Sequence, residues 1–214
     1  MLSAWRRWFA GAPASNASRW VVVDVETSGL DAANDRLLAI AAVALDLRQG
    51  RPRVALADSF EVVLRQSEAP ADKANILLHG IGVSAQGEGV DPALALQAFE
   101  AFVGQSPLLA FHSAFDEQMI GRAFAQFLGR PLRAAWVDLA AVAAVLHPQA
   151  KAQALDEWMT LFDIHCAQRH QAAADTFATA ELMLKLWPAL ERQSRRVDFK
   201  AVQRMALQRR WLSS

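Results

Sequence analysis

Two carboxylates, Asp24 and Glu26, lie within an apolar, β-branched segment that runs from Val21 to Leu30. Such a segment is typical of a buried strand, and because strand side chains alternate, both carboxylates project to the same face. Like charges side by side repel each other, and burial makes each charge costlier, so a positive partner is expected between them. A divalent cation with oxygen ligands is the simplest such partner. This segment alone leaves equally open a strand that ends in a solvated acidic turn.

Two later segments carry acids that packing alone does not require. Ser113 and Asp116 have the spacing of a capping box, so this pair also has a purely structural interpretation. Asp175 opens a predicted long helix, where a carboxylate can simply complement the positive helix end. His170, just ahead of it, can be an ordinary loop histidine. Taken with the first pair, these segments supply four carboxylates and one imidazole.

Composition bounds the class of protein. The chain has 214 residues, 53% of them hydrophobic, which fits one large domain with a substantial core. A single cysteine, Cys166, excludes an internal disulfide framework and fits a reducing compartment, so a cytoplasmic location is expected. The segment 21–194 has 13 basic and 21 acidic residues, whereas both chain ends are basic. No apolar run is long enough to span a bilayer, so no membrane association is expected.

The hydrophobic pattern predicts a mixed α/β architecture. Three consecutive strands with short connections indicate an antiparallel meander, and the later alternation of strands and helices indicates parallel strands added to it. Asp91 and Pro92 fit the N-cap and first position of a helix. After the first strand at Val21, strands are predicted at about 36–47, 53–66 with a break near 57–58, 107–111 and 134–137. Helices are predicted from 92, and at 113–127, 138–146, 154–162, 172–190 and 197–211.

Three motifs follow one another along the chain: Asp-x-Glu-Thr-Ser-Gly-Leu at 24–30, Ala-Phe-Asp at 114–116 and His-x-x-x-x-Asp at 170–175. This series resembles the motifs of the DEDDh 3′→5′ exonucleases, and above all the proofreading (epsilon) subunit of bacterial DNA polymerase III. Leu-His-Gly-Ile at 78–81 resembles a supporting segment of that family. One motif would be weak support, but three in order at this spacing are strong. The resemblance covers residues 19–187.

The resemblance implies a ribonuclease H-like fold. Its mixed five-stranded sheet has three antiparallel strands and then two parallel ones, flanked by helices. The exonuclease domain is expected at 19–192, after an N-terminal extension at 1–18. A basic C-terminal helix at 193–214 is expected to pack on the domain or trail it.

The resemblance also implies a catalytic set. Asp24, Glu26, Asp116 and Asp175 are the expected ligands of two divalent metal ions, Mg²⁺ or Mn²⁺, which prefer oxygen donors. Paired ions can stabilise both the attacking and the leaving oxygen of a phosphoryl displacement. His170 is the expected general base, since an imidazole titrates near neutral pH.

Substrate contacts follow from the same resemblance. Thr27, Gly29 and Leu30 are expected to line the terminal nucleotide, and His79 and Phe115 to flank it. Stacking and apolar contacts of this kind suit an enzyme without base specificity. For Leu30 and Phe115 the alternative is an ordinary place in the core.

The chain departs from the family pattern in two places. His112 stands four residues before Asp116, where the family commonly has one more residue, so a role for His112 does not carry over. Ala39 occupies a position where relatives often have glutamate, although that residue is not one of the four metal carboxylates. The chain also ends soon after its last predicted helix, whereas the polymerase subunit has a longer docking tail. Docking to a DNA polymerase subunit is therefore only a secondary expectation.

The expected function is metal-dependent 3′→5′ exonuclease activity that removes nucleoside 5′-monophosphates from DNA 3′ ends, with single-stranded DNA favoured. The alternative within the enzymes is a 3′→5′ exoribonuclease or oligonucleotide-trimming enzyme, because the motifs do not reveal a contact to the 2′-hydroxyl. A third hypothesis is a non-catalytic, polymerase-associated binding module. A doubly wound nucleotide-binding domain is disfavoured, because acids stand where its glycine-rich phosphate loop belongs.

Overall fold

The computed structural model of the protein describes residues 18–67, 76–77, 80–166 and 170–212. Its five strands are β1 Arg19–Thr27, β2 Leu37–Asp46, β3 Arg53–Val63, β4 Leu108–Ala110 and β5 Trp136–Asp138. They form one sheet in the order β3-β2-β1-β4-β5. The first three strands pair antiparallel, and β4 and β5 are added in parallel. The predicted mixed sheet is confirmed.

Seven helices of six or more residues lie in the described part of the chain. They are α1 Val83–Glu88, α2 Pro92–Val103, α3 Ser113–Leu128, α4 Leu139–Leu146, α5 Leu155–Phe162, α6 Ala172–Gln193 and α7 Phe199–Leu212. Asp91 caps α2 by accepting hydrogen bonds from the backbone N–H groups of Ala93 and Leu94, with Pro92 in the first turn as predicted. Within these described residues, no helix combines the length and apolarity needed to cross a bilayer.

The sheet separates two hydrophobic clusters. Because side chains alternate along β1, Trp20 and Val22 face a cluster that includes residues of α4 to α7, whereas Val21 and Val23 face one built with α2 and α3. All four side chains are almost completely buried. The alternation continues beyond Val23, so Asp24 and Glu26 extend the face that α6 covers.

The carboxyl end of β1 extends beyond its parallel neighbour. β1 pairs with β4 at Val21 and Val22 only, while its pairing with β2 continues to Thr27. The last residues of β1 therefore have β2 on one edge and an open edge on the other. That open edge is where the first turn of α3 arrives.

Two further features of the sequence have clear structural counterparts. Val43 pairs with Ser59 and Ala44 with Ala55, so residues 56–58 are extra in β3, at the predicted break. The C-terminal helix α7 packs on the domain rather than trailing it, because Val202 is fully buried in the cluster around Trp20.

Candidate metal centre

Three carboxylates from distant parts of the chain meet at the end of β1. Asp24, Glu26 and Asp175 each offer one oxygen, and these oxygens lie within 4.8 Å of one another. Asp24 and Glu26 are half-buried, and Asp175, in the first turn of α6, is only 7% exposed. The approach of a third, buried carboxylate favours a cation site over a solvated acidic turn. An all-oxygen donor set fits a hard divalent cation.

His170 lies directly against this cluster. Its backbone N–H donates a hydrogen bond to Oδ2 of Asp175 at 3.1 Å, while its side chain is exposed. Its φ of 61° is in the left-handed region. A Cβ on Gly80 would lie 3.7 Å from Nε2 of Gln171, so the segment at Gly80 borders the start of α6. His79, predicted to flank the nucleotide, lies outside the described residues.

Asp116 approaches the centre from the other side of the sheet. It is 4% exposed, and its carboxylate accepts hydrogen bonds from its own backbone N–H and from that of Val25, the residue between Asp24 and Glu26. It is not one of the three carboxylates within the 4.8 Å limit. Burial raises the pKa of Asp116 to about 8, and the nearby charge of Asp138 adds to this increase.

The capping-box interpretation of Ser113 and Asp116 is wrong. Helix α3 begins at Ser113, and its N-cap is His112, which has a φ of 59° and makes no side-chain cap hydrogen bond. The backbone N–H of His112 instead donates to Oδ1 of Asp138 at 3.1 Å, and the same oxygen accepts from Ala140 N–H at 2.9 Å. Asp138 thus fixes the start of α3.

Sequence reasoning assigned no role to Asp138. Its signal was nevertheless present, because Asp138 ends a short apolar strand just as Asp24 interrupts β1. An acid at the carboxyl end of a parallel strand reaches the edge where its neighbours also end. Asp138 is also the N-cap of α4, because its side chain accepts a hydrogen bond from the N–H of Ala140.

The residues predicted to contact the substrate differ in their exposure to solvent. Leu30 is 91% exposed in the loop after β1, so its alternative placement in the core is wrong. Phe115 is half-buried and packs against the cluster around α2 and α3. Oγ1 of Thr27 donates to the carbonyl oxygen of Gly29 at 2.6 Å, which shapes the turn that carries Leu30.

Asp35 holds the Leu30 loop in place, a function that the sequence did not reveal. Its Oδ1 accepts a hydrogen bond from Oγ of Ser28 at 2.7 Å, and its Oδ2 accepts from the backbone N–H of Asp31 at 2.8 Å. A Cβ added to Gly29 would lie 2.4 Å from Oδ2 of Asp35. The carboxylate therefore fits against the bare glycine backbone, and both ends of the loop are tied to it.

A Gly29→Ala substitution is expected to reduce the free energy of unfolding by about 1–3 kcal/mol, because the added methyl group overlaps the Asp35 carboxylate. Urea denaturation of the metal-free protein measures this loss. The loss should shrink when Asp35 is also replaced by alanine, since the overlap is then removed.

The matched control is Gly121→Ala within α3, where a Cβ meets nothing within 4 Å. That change should leave stability unchanged or increase it by up to about 1 kcal/mol, through helix propensity. Equal costs for Gly29→Ala in the presence and absence of Asp35 would show that the carboxylate does not hold the loop.

The raised pKa of Asp116 predicts how stability depends on pH without metal. The folded protein holds this proton up to about pH 8, whereas an unfolded aspartate releases it near 3.8. Folding is therefore favoured most at low pH, and this contribution is lost as pH rises from about 4 to 8. We expect Asp116→Asn, measured in EDTA, to flatten the melting temperature between pH 5 and 8 and to exceed wild type by about 3 °C or more at pH 8.

The control for this experiment is Glu117→Gln, which removes an exposed carboxylate on the same helical turn. It should leave the pH dependence of wild type unchanged. If the melting temperatures of wild type and Asp116→Asn change with pH in the same way, the assignment of the buried proton to this residue is contradicted.

A mixed five-stranded sheet with a carboxylate cluster at the end of its central strand defines an α/β protein of the ribonuclease H-like class. The family model RNase_T, described as exonuclease, matches residues 21–183. The chain therefore belongs to this exonuclease family, and its motifs and relatives place it among the DEDDh-type 3′→5′ exonucleases.

The relatives and structural neighbours agree with this family. DNA polymerase III PolC-type of Bacillus subtilis (strain 168) is 30% identical over 168 residues, which are 78% of this chain and 11% of that protein. The PolC-type protein of Listeria innocua serovar 6a is 31% identical with the same coverage. The chain thus spans about a ninth of these relatives. E. coli Exonuclease I in complex with a dT13 oligonucleotide shares the fold, with a TM-score of 0.69 and 18% identity over 82% of this chain and 42% of that one.

Proposed function

We propose that the protein removes nucleoside 5′-monophosphates from the 3′ end of a DNA strand by metal-dependent hydrolysis. The observation that carries this proposal is the approach of Asp24, Glu26 and Asp175 to within 4.8 Å, with His170 against them. In an exonuclease family, such a cluster of oxygen donors at the end of the central strand is best explained as the centre of phosphodiester hydrolysis.

In this proposal the carboxylates are the metal ligands. Asp24, Glu26 and Asp175 would hold two divalent cations, Mg²⁺ or Mn²⁺, and Asp116 would complete the site directly or through water. The cations supply the positive charge that offsets the charge developing on the phosphoryl oxygens. The N–H of Val25 donates to the Asp116 carboxylate and so links it to β1.

His170 is the proposed general base. Its side chain is exposed, while its backbone is fixed by the bond to Asp175. It would accept the proton of the water that attacks the phosphorus atom. In this proposal the fixed backbone of His170 positions the residue, and its exposed ring transfers the proton.

The proposed substrate is a single-stranded DNA end. Leu30 is exposed on the loop that follows β1 and that Asp35 holds, and its apolar side chain would contact the terminal base. Stacking on such groups needs no particular base. DNA is preferred in the proposal over RNA because the sequence relatives are DNA polymerases and Exonuclease I binds a dT13 oligonucleotide.

The test uses the purified chain with Mn²⁺ or Mg²⁺ and single-stranded DNA oligomers labelled at either end. A 3′ label should be released as a mononucleotide in the first turnover, and a 5′ label should give a ladder of shortened strands. EDTA should stop both. A matched RNA oligomer, trimmed faster than DNA, would reverse the substrate preference, and no mononucleotide release at all would favour the non-catalytic binding module.

A further inference from the structure

A second concave feature lies behind the Leu30 loop. It is a cleft of about 620 Å³ between residues 33–37 at the end of that loop and the start of β2, residues 64–67 after β3, and the second half of α3. Its lining includes three arginines, Arg36, Arg65 and Arg122. These cations are concentrated in a body, residues 21–194, where acids outnumber bases by 21 to 13. The cleft is therefore a local exception to the charge of the domain.

Arg122 is the arginine of this cleft that retains capacity for an anion. Nη2 of Arg122 contacts Sδ of Met119 at 3.9 Å and makes no salt bridge with any described residue. Nη1 of Arg36 donates to Oε1 of Gln66 at 3.4 Å, and Nη2 of Arg65 donates to Asp91 at 2.8 Å. Asp35 also lines the cleft, but its carboxylate is already engaged by its own loop.

An aromatic ring stands beside these charges. Phe127 is 41% exposed at one side of the cleft. Arginines with an exposed aromatic ring form the combination that binds single-stranded nucleic acid, through phosphates and base stacking respectively.

The position of the cleft agrees with such a ligand. Arg122 lies six residues after Asp116 on α3, which is about 9 Å along the helix axis. The Leu30 loop forms one wall of the cleft, and it starts directly after the end of β1 that carries Glu26 of the carboxylate cluster. A strand whose 3′ end reaches the cluster can thus pass over this loop and continue into the cleft.

We infer that the cleft around Arg122 and Phe127 holds the sugar–phosphate backbone and bases of the substrate strand upstream of its 3′ terminus. The inference rests on the proposed function for the direction of the strand, but the binding that it describes does not require hydrolysis. Its consequence is that long oligomers bind more tightly than short ones, and that this advantage depends on the cleft.

The experiment measures binding by fluorescence anisotropy with labelled dT2 and dT12 in Mg²⁺, using full-length protein that carries His170→Asn to prevent degradation. Arg122→Ala should weaken dT12 binding about tenfold and reduce the slope of log affinity against log salt by about 0.7, the value for one phosphate contact in single strands. Phe127→Ala should weaken dT12 binding at least about fivefold. Neither change should alter dT2 binding.

The matched control is Arg51→Ala, which removes an exposed arginine that is already paired with Glu191 away from the cleft. It should leave both oligomers unaffected. Arg122→Gln removes the charge but keeps part of the aliphatic stem and a polar end, and it serves in place of alanine if thermal melting shows that Arg122→Ala is unfolded.

The outcomes separate this inference from the proposed function. Unchanged dT12 binding in Arg122 variants, or an equal loss for Arg51→Ala, overturns the cleft as a strand site even when wild type hydrolyses DNA. Equal losses for dT2 and dT12 also overturn it, because they place Arg122 at the 3′ terminus. Cleft-dependent dT12 binding by a wild-type protein that releases no mononucleotide would support the cleft and reject the proposed function.

Discussion

Replacing Asp24 by asparagine is expected to reduce the rate of 3′ mononucleotide release at least about a thousandfold, a loss of about 4 kcal/mol of transition-state stabilisation. Asp24 belongs to the carboxylate cluster and shares the face of β1 with Glu26, so its charge contributes directly to cation binding. Single-turnover rates on a 3′-labelled DNA oligomer measure the loss.

The same substitution separates catalysis from folding. In metal-free protein, removing one of three crowded carboxylates relieves repulsion, so Asp24→Asn should melt at the wild-type temperature or above it. The rise in melting temperature that Mn²⁺ gives wild type should be reduced or absent. Glu61→Gln, which changes an exposed carboxylate on β3, is the control and should behave as wild type. A large loss of stability in Asp24→Asn would show that Asp24 is structural.

The sheet could be predicted because its order follows from local signals. β1 to β3 are long apolar strands with short connections, and the acid–proline pair at Asp91 marks a helix start that the structure confirms. The break in β3 was also readable, since Ala57 and Asp58 interrupt its apolar pattern. These features depend on residues that are close together in the sequence, so they can be predicted from the sequence almost completely.

The metal centre could be predicted only because a series of known motifs linked segments that are distant in the sequence. Nothing local in the sequence brings Asp175 to Asp24, and the resemblance to a family supplied that link. Where local rules were used instead, they misled. Ser113 and Asp116 fit a capping box with Ser113 as its N-cap, but the N-cap is His112, whose N–H donates to Asp138. The helix itself begins at Ser113, as predicted.

The two residues that sequence reasoning missed act at different ranges. Asp138 binds the N–H of His112, and these two residues become neighbours only after the chain has folded. Asp35 instead ties Ser28 and Asp31 of its own loop, in a geometry that no pattern of hydrophobicity reveals. The exposure of Leu30 has a similar origin, because hydrophobicity alone favours a buried leucine. An apolar residue that a tied loop presents to solvent is a departure from local rules, and such departures concentrate at functional sites.

Replacing His170 by asparagine is expected to lower the rate of 3′ mononucleotide release by about a hundredfold to ten-thousandfold, the range for losing a general base. Asparagine is chosen because it tolerates the left-handed backbone at this position, where φ is 61°, so the bond from its N–H to Asp175 should persist. The Mn²⁺-dependent rise in melting temperature should therefore be retained, unlike that of Asp24→Asn.

The pH profile decides whether the imidazole transfers a proton. Wild type should gain activity as pH rises, because a general base acts only when it is unprotonated, and His170→Asn should lose that dependence. His165→Asn is the matched control, because His165 is an exposed histidine whose ring nitrogen lies 3.8 Å from Asp163 on the preceding segment. Full activity of His170→Asn from pH 6 to 9 would remove this residue from the mechanism and leave the carboxylates and the cations that they hold as the whole of the catalytic machinery.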